Sequence, residues 1–333
     1  MRIAVYSIAK NEEQFVERWL KSAADADFIL LADTGSTDYT REKFVANLHG
    51  QTSLINININ PWRFEDARNA SLAAIPADID FCIALDLDEV LRPGWRESLE
   101  ALARSCPDAT RLRYNYIWSM DSSGAPGLTY HGDKIHRRNG YRWVNPVHEV
   151  LSYDARLGAE VQAYTNDTWI EHHPDNTKSR SQYLDLLRLA TMENPYNDRN
   201  AHYYARDLMY AQQYYGAIDE FKRHLELPNA TWKPERSASM RYLGDCYFAL
   251  GNYDEALYWF NKAIGEAPEL REPWIARAQF HRFQGNWYYV MQDVNRALAI
   301  KDKPNIYINE ASSWNGWPEQ MRQEAINNME LDL

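Results

Sequence analysis

The stretch FCIALDLDEVLRPG, residues 81–94, contains a core strand and a cluster of acids. Its apolar run, residues 81–85, predicts a buried strand. Asp86, Asp88 and Glu89 follow at once, before a Pro-Gly break. Acids directly after a buried strand lie at an edge of the sheet, which is where open α/β sheets bind ligands. The stretch therefore predicts both a fold class and the position of a functional site.

The segments before residue 81 alternate between strand-like and helix-like patterns. Strand–helix alternation with short links is typical of an α/β fold with a mostly parallel, three-layered sheet. Polar clusters follow three of the strands, so we expect them to meet at one edge of the sheet. The predicted strands cover residues 2–8, 28–32, 53–58 and 81–85, the helices residues 12–24, 41–48 and 64–74, and the clusters residues 10–13, 33–38 and 86–89.

The second half of the chain has a helical repeat. Residues 241–268 have the spacing of a tetratricopeptide repeat, and a degenerate copy follows about 34 residues later. A third copy, around Tyr214, Ala217 and Phe221, is displaced by the insertion NATWK at residues 229–233. We predict an all-α solenoid over residues 179–333, with the tail ASSWNGWPEQ as its cap, after an α/β domain over residues 1–178.

Composition and charge disfavour nucleic-acid-binding, disulfide-bonded and membrane-spanning proteins. The 333 residues carry a formal net charge of −11, which disfavours a phosphate-backbone binder. The three cysteines, at positions 82, 106 and 246, lack metal-ligand spacing and suggest reduced thiols. No signal peptide precedes the first strand, and no apolar run approaches the ~18 residues of a membrane span. We expect a soluble, cytoplasmic protein.

Asp86 and Asp88 pose an electrostatic problem. In a continued strand their side chains would point to the same side of the sheet. Two carboxylates about 4 Å apart near a protein surface repel by roughly 4 kcal/mol, so a proton, an arginine or a divalent cation must offset their charge. Mg²⁺ and Mn²⁺ prefer oxygen ligands and share them with a diphosphate. Two interpretations are open: a seat for a metal-bound nucleoside diphosphate, or a solvated turn that caps the next helix.

Five stretches of the first half carry a resemblance to a known family. They are SIAKNEEQFVERWLKS, ILLADTGSTDYT, PWRFEDARNASL, FCIALDLDEVL and RWVNPVHEVL. In this order and at these separations, they make residues 1–180 resemble the family 2 glycosyltransferases of GT-A fold. The resemblance implies a Rossmann-like sheet domain that binds a nucleotide-sugar donor, most typically a UDP-sugar, with Mn²⁺ or Mg²⁺ as cofactor.

The resemblance also implies roles for individual residues. Asp33 matches the acid that contacts the base and ribose, and Asp86-Leu87-Asp88 matches the family's DXD metal motif, with Asp88 the more direct ligand. His172 lies where related enzymes place a histidine that completes the metal site, and His173 is the alternative. The implied nucleotide-sugar site comprises Ala9, Lys10, Asn11, Glu12, Asp33, Thr34, Gly35, Arg68, Asn69, Asp86 and Leu87; the implied metal ligands are Asp86, Asp88 and His172.

The VHE motif supplies the implied catalytic residues. Transfer with inversion requires a base that takes the proton of the attacking acceptor. Glu149 resembles the family's base, with Asp88 or Glu89 as the second candidate, and His148 would bind the donor or orient Glu149. Without the other motifs, the same residues read as an inward-packed histidine and a strand cap.

Arg68 and a basic cluster at residues 131–143 have alternative interpretations. Arg68 matches the family's arginine near the diphosphate, but a salt bridge to Asp66 or to a strand-end acid would also explain it. Lys134, Arg137, Arg138 and Arg142 form the basic cluster. It could guide an anionic acceptor, form a loop that closes over the diphosphate, or be a solvated hairpin with cross-strand charges.

The sequence departs from the family's usual pattern at two points. Tyr39 stands where the family usually has glycine, which disturbs the turn only if position 39 needs a positive φ. The QxxRW motif of processive polysaccharide synthases is absent from the sequence. Transfer of a single sugar fits better than processive synthesis.

These features favour a metal-dependent inverting glycosyltransferase, a hexosyltransferase by resemblance. Its acceptor would be a hydroxyl or thiol on a peptide, protein or glycan, and its solenoid would bind the acceptor or mediate homo-oligomerisation. The first alternative is a helical-repeat scaffold with an inactive GT-A domain. The second is transfer to modified DNA bases, which the acidic charge disfavours and the basic cluster keeps open.

Overall fold

The computed structural model describes residues 1–48, 50–120, 124–175 and 182–331. The chain divides into two compact units, Met1–Ser179 and Arg180–Leu333. The predicted domain boundary, between residues 178 and 179, lies outside the described residues.

The first unit contains ten described strands and four helices. Its strands are β1 (Ile3–Ala9), β2 (Phe28–Asp33), β3 (Thr52–Asn56), β4 (Phe81–Ala84), β5 (Glu89–Leu91), β6 (Arg111–Ile117), β7 (Thr129–Arg137), β8 (Tyr141–Val144), β9 (Val150–Tyr153) and β10 (Gln162–His172). Its helices are α1 (Val16–Ser22), α2 (Thr40–Ala46), α3 (Phe64–Ala73) and α4 (Trp95–Ser105), with a single 3₁₀ turn at Ala155–Leu157.

Eight of these strands form one mixed sheet in the order β3-β2-β1-β4-β7-β6-β10-β5. Strands β3, β2, β1 and β4 run parallel, and so do β6 and β10. Strand β7 is antiparallel to both β4 and β6, and β5 is antiparallel to β10. Strands β8 and β9 form a separate antiparallel pair. The predicted mostly parallel α/β sheet is confirmed, and the antiparallel insertion of β7 is an addition to it.

Helices cover both faces of the sheet because its central strands are apolar on both sides. On one face, Trp19 of α1, Phe44 of α2 and Trp95 of α4 form a core with the side chains of β1, β2 and β4 that point to that face. On the other face, Leu72 of α3 and Trp143 of β8 join a second core. Continuous apolar runs are typical of strands that are buried on both faces. The small β8–β9 sheet therefore completes the layer that contains α3.

Helix α1 begins four residues later than its apolar periodicity predicts. The chain from residue 10 to residue 15 forms a loop instead, and Asn11 has a positive φ of 56°. The backbone N–H of Glu12 donates to Thr40 Oγ1 at 2.7 Å, and that of Glu13 to Asp38 Oδ2 at 3.1 Å. Side chains from another loop thus satisfy the backbone that a longer helix would have used.

The second unit is a stack of helix pairs. Its helices are α5 (Tyr183–Glu193), α6 (Asp198–Tyr210), α7 (Tyr214–Glu226), α8 (Lys233–Ala249), α9 (Tyr253–Glu266), α10 (Arg271–Phe283), α11 (Trp287–Ala299), α12 (Ala311–Trp314) and α13 (Trp317–Leu331). The three predicted repeats correspond to the pairs α6–α7, α8–α9 and α10–α11. The insertion NATWK lies mainly between two pairs, before α8.

Close packing within a pair explains the small residues of the repeat. A Cβ atom added to Gly244 would lie 2.5 Å from the ring of Phe260, so α8 and α9 approach closely only with glycine there. The tail caps the last pair, because Met321 and Ala325 of α13 pack with Val290 and Val294 of α11. Within the described residues, no helix combines the length and apolarity that crossing a membrane requires.

Candidate active site

The loops after β1 and β2 are bound to each other at the carboxyl edge of the parallel strands. Thr37 donates its backbone N–H to Asn11 Oδ1 at 2.8 Å, and Asn11 donates its own to Ser36 Oγ at 3.0 Å. Strand β4 runs parallel to β1, so the loop that begins at Leu85 leaves the sheet at the same edge. All three predicted polar clusters therefore follow strands that end at one edge.

Asp33 organises the second of these loops. Its Oδ1 accepts the backbone N–H groups of Gly35 at 3.0 Å and Ser36 at 3.1 Å, and the residue is only 2% exposed. Gly35 has a φ of 102°, a conformation that favours glycine. Tyr39 has a φ of −86°, so the family's glycine is not required at that position. The turn keeps its shape despite the departure in sequence.

Other residues of the implied nucleotide-sugar site have distinct surroundings. Lys10 is exposed, whereas the side chains of Ala9 and Leu87 are buried. Thr34 donates its hydroxyl to Ala9 O at 3.0 Å. Ala9 and Leu87 thus present little more than backbone to a ligand, while Lys10 presents its ammonium group.

Arg68 of α3 binds two of the predicted functional acids. Its Nη2 lies 2.8 Å from Asp86 Oδ1, and its Nε donates to Glu149 Oε1 at 2.5 Å. The guanidinium is stacked on the ring of Trp143, 4.9 Å from the centroid. Arg68 is 6% exposed, so its charge is held in a partly desolvated position. Arg68 therefore offsets part of the charge of Asp86, as the arginine alternative expected.

Helix α3 and the segment after β8 are tied together, which places Glu149 beside Arg68. Asn69 Nδ2 donates to Trp143 O at 2.9 Å, and Trp143 N–H donates to Asn69 Oδ1 at 2.8 Å. The backbone N–H of Phe64 donates to Pro146 O at 3.0 Å. His148 has a φ of 49°. Non-glycine residues with positive φ cost energy and cluster at functional sites.

Lys134 of β7 is a second cation among the strand-end acids. Its Nζ lies 2.8 Å from Asp86 Oδ2 and 3.0 Å from Glu89 Oε1. Glu89, which is 1% exposed, also accepts the hydroxyl of Tyr116 at 2.7 Å and the backbone N–H of Asp86 at 2.8 Å. Three acids (Asp86, Glu89 and Glu149) and two cations (Arg68 and Lys134) therefore form one network, which joins β7, α3, the loop after β4 and the segment after β8.

The pKa values of Asp86 and Glu89 are shifted in opposite directions. Burial opposes ionisation of Asp86, but the charges of Arg68 and Lys134 outweigh it and hold the pKa of Asp86 well below its usual range. Burial raises the pKa of Glu89; Lys134 opposes this effect, and the charges of Asp86 and Asp88 add to it. Asp86 is thus held as a carboxylate, whereas Glu89 is the acid that takes up a proton more readily.

Asp88 has a different partner, His172. The Nε2 atom of His172 lies 3.4 Å from Asp88 Oδ2, and its Nδ1 lies 3.1 Å from Trp118 O. Burial lowers the pKa of His172, but the hydrogen bond and charge of Asp88 outweigh it and raise the pKa above its usual value. The side chain of His173 contacts Glu171 instead, with 2.9 Å between His173 Nε2 and Glu171 Oε2. Of the two adjacent histidines, His172 is therefore the one beside the DXD motif.

Comparison with known proteins identifies the family of the first unit. Residues 5–140 match the family model described as Glycosyl transferase family 2. The first unit is a family 2 glycosyltransferase domain. Residues 205–270 of the second unit match the family model described as Tetratricopeptide repeat.

Several solved structures resemble this chain at low identity. S. aureus TarS is 16% identical, covering 76% of this chain and 54% of its own, with a TM-score of 0.45. TarS 1-349 is 15% identical, covering 81% of this chain and 93% of its own, also with a TM-score of 0.45. MamA MSR-1 C2 is 21% identical, covering 36% of this chain and 66% of its own, with a TM-score of 0.31. The chain spans about half of the first TarS chain, and no curated protein matches it significantly.

The glycosyltransferase domain offers a partial site for a divalent cation. Asp88 Oδ2 and His172 Nε2 lie close enough to bind one ion, and the contact of His172 Nδ1 with a backbone carbonyl leaves Nε2 to face Asp88. Among the described residues, no three histidine, cysteine or acidic side chains group as metal ligands. Mg²⁺ is commonly bound by one or two carboxylates together with substrate phosphates. Asp88 would supply one carboxylate of that kind, and His172 would add an imidazole nitrogen.

One expectation drawn from local sequence differs from the structure. Asp86 and Asp88 lie in a turn between β4 and β5 and not in a continued strand, because Glu89 N–H closes the turn on Asp86 O at 2.9 Å. The strand argument for a shared side therefore does not apply. The salt-bridge alternative for Arg68 is confirmed for a strand-end acid: Arg68 pairs with Asp86, and also with Glu149, and it does not pair with Asp66 in the described contacts.

The basic cluster does not form a single surface patch. Lys134 binds the strand-end acids, Arg137 Nε donates to Ala109 O at 2.9 Å, and Arg138 Nε donates to Ile75 O at 3.1 Å. Arg142 is exposed. Strand β7 lies within the large sheet and β8 in the small one, so the segment is not a solvated hairpin. Its cations mainly support the domain from within.

Sequence reasoning missed three members of the site. Lys134 was assigned to the basic cluster, and its neighbours Asp133 and Ile135 give no sequence signal that its charge faces the buried acids. Tyr116 binds Glu89, and the ring of Trp118 stacks on His172 with centroids 4.6 Å apart. Tyr116 lies near the carboxyl end of β6 and Trp118 follows that strand, at the same edge of the sheet as the acids, and that position was the available signal.

Proposed function

We propose that the glycosyltransferase domain moves a single hexose from a UDP-sugar to a hydroxyl or thiol on a peptide, protein or glycan, with inversion and with Mn²⁺ or Mg²⁺. One observation carries the proposal: Arg68 binds both Asp86 of the DXD motif and Glu149 of the VHE motif. A candidate base and a candidate diphosphate-side acid thus lie within reach of one guanidinium group.

Glu149 acts as the general base in this proposal. Its carboxylate accepts the proton of the acceptor hydroxyl while the acceptor oxygen forms a bond to the anomeric carbon. The bond between that carbon and the diphosphate oxygen breaks at the opposite face, and the diphosphate leaves with the electron pair. General bases of this kind contribute about 10²–10⁴-fold to the rate.

Arg68 and Lys134 stabilise the leaving diphosphate electrostatically. Both are positioned beside Asp86, and a planar guanidinium can bind phosphate oxygens through two donors. When bound, the divalent cation supplies further positive charge for the diphosphate, with Asp88 and His172 as its protein ligands. Fixed charges aimed at developing negative charge are commonly the largest catalytic contribution.

A thermal-unfolding screen of nucleotide sugars, with and without Mn²⁺, tests donor and metal together. At 100 times its dissociation constant, the true donor stabilises the fold by about 2.7 kcal/mol. We expect the UDP-sugar arm to respond most and to depend on Mn²⁺. The Asp88→Asn variant should lose the Mn²⁺ dependence, and His173→Gln, whose histidine binds Glu171, should keep it.

The outcomes of this screen separate the proposals. Stabilisation by a UDP-sugar without Mn²⁺ dependence would overturn the metal role and keep the donor. Absence of a response to any UDP-, GDP-, dTDP- or CMP-sugar would favour an inactive domain. Release of UDP from the responding donor, measured with candidate acceptors, then tests transfer itself.

A further inference from the structure

The segment between α11 and α13 folds back across the first helices of three successive pairs. Residues 304–314, here the return segment, contain a stretch without regular structure followed by the short helix α12. It contacts side chains of α6, α8 and α10, which pack side by side in the stack. One extended segment therefore spans the same face of all three repeats.

Tyr307 is the first anchor of the return segment. Its ring stacks on that of Tyr203 of α6, with an interplanar angle of 19° and centroids 6.2 Å apart, and lies 5.4 Å from the ring of Trp232. The guanidinium of Arg199 lies 5.4 Å from the centroid of Tyr307. The Tyr307 hydroxyl donates to Glu235 Oε2 of α8. An aromatic cleft with an acceptor at its base thus holds one tyrosine.

Glu310 is the second anchor, three residues further along. Its carboxylate forms an ion pair of 2.5 Å with Arg241 of α8, and its backbone N–H donates to Glu272 Oε1 of α10 at 3.2 Å. Trp314 donates its indole N–H to the same Glu272 oxygen at 2.7 Å. The guanidinium carbon of Arg271 lies over the Trp314 ring, 4.1 Å from the ring centroid. Each anchor therefore combines a charged partner with a hydrogen bond.

The face beneath the segment is charged, unlike the interior of the stack. Arg241 is 3% exposed and Glu272 3% exposed, with the return segment in place. Burying such charges is costly unless each is paired, and apolar residues would hold a permanently packed segment at least as well. The backbone of the segment bonds in part to itself, as Ser313 N–H does to Glu310 O. Its backbone hydrogen bonds to the helices are made with helix side chains: Glu310 N–H donates to Glu272 Oε1, and Ser313 O accepts from Arg271 Nη1. This pattern suits a segment that can leave as a unit.

We propose that this face of the solenoid is a peptide-binding surface, that the return segment is its resident ligand in cis, and that an extended peptide with tyrosine and glutamate three residues apart replaces it in trans. The spacing is that of Tyr307 and Glu310 in the return segment, and the chemistry follows from their partners Glu235 and Arg241. The proposal is independent of sugar transfer and adds a second recognition site to the chain.

Competition with a labelled peptide tests the exchange. The probe is a fluorescent peptide of residues 303–315, KPNIYINEASSWN, titrated into the full chain and into a Tyr307→Ala/Glu310→Ala variant whose own segment is weakened. We expect the variant to bind the probe at least about 10-fold more tightly, because the resident segment reduces apparent affinity by the fraction of open surface. The control peptide carries alanine at both anchor positions, and Asn305→Ala is the control variant.

Equal binding of the probe and the control peptide would overturn the proposal, as would a folded variant that fails to bind the probe. Amide hydrogen exchange of the unmodified chain gives an independent readout that does not depend on the variant folding. We expect residues 305–313 to exchange faster than α10 and α13, and faster still with excess unlabelled probe peptide. Exchange of the segment only at the rate of α10 would mean that it opens by global unfolding, and the proposal would fail.

Discussion

Asp86 and Glu149 share one guanidinium group. Arg68 Nη2 lies 2.8 Å from Asp86 Oδ1, and Arg68 Nε lies 2.5 Å from Glu149 Oε1. A bound diphosphate would compete with Asp86 for the same arginine, and this would change the charge around Glu149, which binds another nitrogen of the group. The pair therefore links donor binding to the charge around the proposed base.

Arg68→Lys tests this link. A lysine is a point charge and cannot bind two carboxylates with the fixed fork of an arginine. We expect transfer to fall by roughly 10²–10³-fold, as for loss of one electrostatic donor, while thermal unfolding shows a folded protein. Initial rates with saturating donor measure the effect. A rate equal to that of the unmodified enzyme would contradict a catalytic role for the arginine.

Glu149→Gln tests the proposed base. The amide keeps the size of the side chain but cannot accept the proton, so we expect kcat to fall by about 10²–10⁴-fold. Donor affinity, measured by thermal shift, should change little. The matched control is Glu100→Gln, because Glu100 pairs with Arg96 on the surface of α4. If kcat is retained in Glu149→Gln and lost in a Glu89→Gln variant, the base is Glu89.

Lys134→Met tests how the buried acids are compensated. Removing the ammonium group leaves Glu89 without its cation at 1% exposure, and breaking a buried pair costs about 3–5 kcal/mol. We expect the double variant Lys134→Met/Glu89→Gln to recover a large part of that loss. Urea unfolding of the three proteins measures the coupling. Independent, additive losses would show that the two side chains do not stabilise each other.

His136 of β7 predicts a pH dependence of the first unit. Burial lowers its pKa from 6.5 to about 3, although its contact with the Arg137 carbonyl opposes this effect and the charges of Arg111 and Arg138 add to it. Its Nε2 lies 3.1 Å from the hydroxyl of Tyr6, which accepts the indole N–H of Trp143. The folded state therefore holds the neutral imidazole.

Between about pH 3 and 6.5 the unfolded chain binds a proton that the folded chain does not, so stability rises with pH across this window. We expect His136 alone to contribute about 1.4 kcal/mol per pH unit within the window and nothing above it. Urea unfolding at pH 4.5, 5.5 and 7.5 measures the slope. In a His136→Gln variant the slope should fall by that amount; an unchanged slope would mean that other groups cause it.

Local patterns predicted the order of elements and missed those details that depend on distant partners. The periodicity of Val16, Trp19 and Leu20 correctly located α1, since it reflects one apolar helix face. It did not show that residues 10–15 form a loop, because Ser36, Asp38 and Thr40 provide the bonds that hold that loop. The antiparallel position of β7 was equally invisible, since strand order is not a property of any one segment.

The sequence by itself determined the two kinds of unit, the edge of the sheet that carries the acids, and the motifs that mark a glycosyltransferase domain. The first two follow from apolar periodicity and from residue spacing, which are local, and the motifs were recognised by their resemblance to the family. Only the tertiary structure decided which charges meet: α3 brings Arg68, β7 brings Lys134, and the segment after β8 brings Glu149 to the loop after β4. Ion pairs act over a few ångströms, so their partners are chosen by the packing of elements that are far apart in the chain.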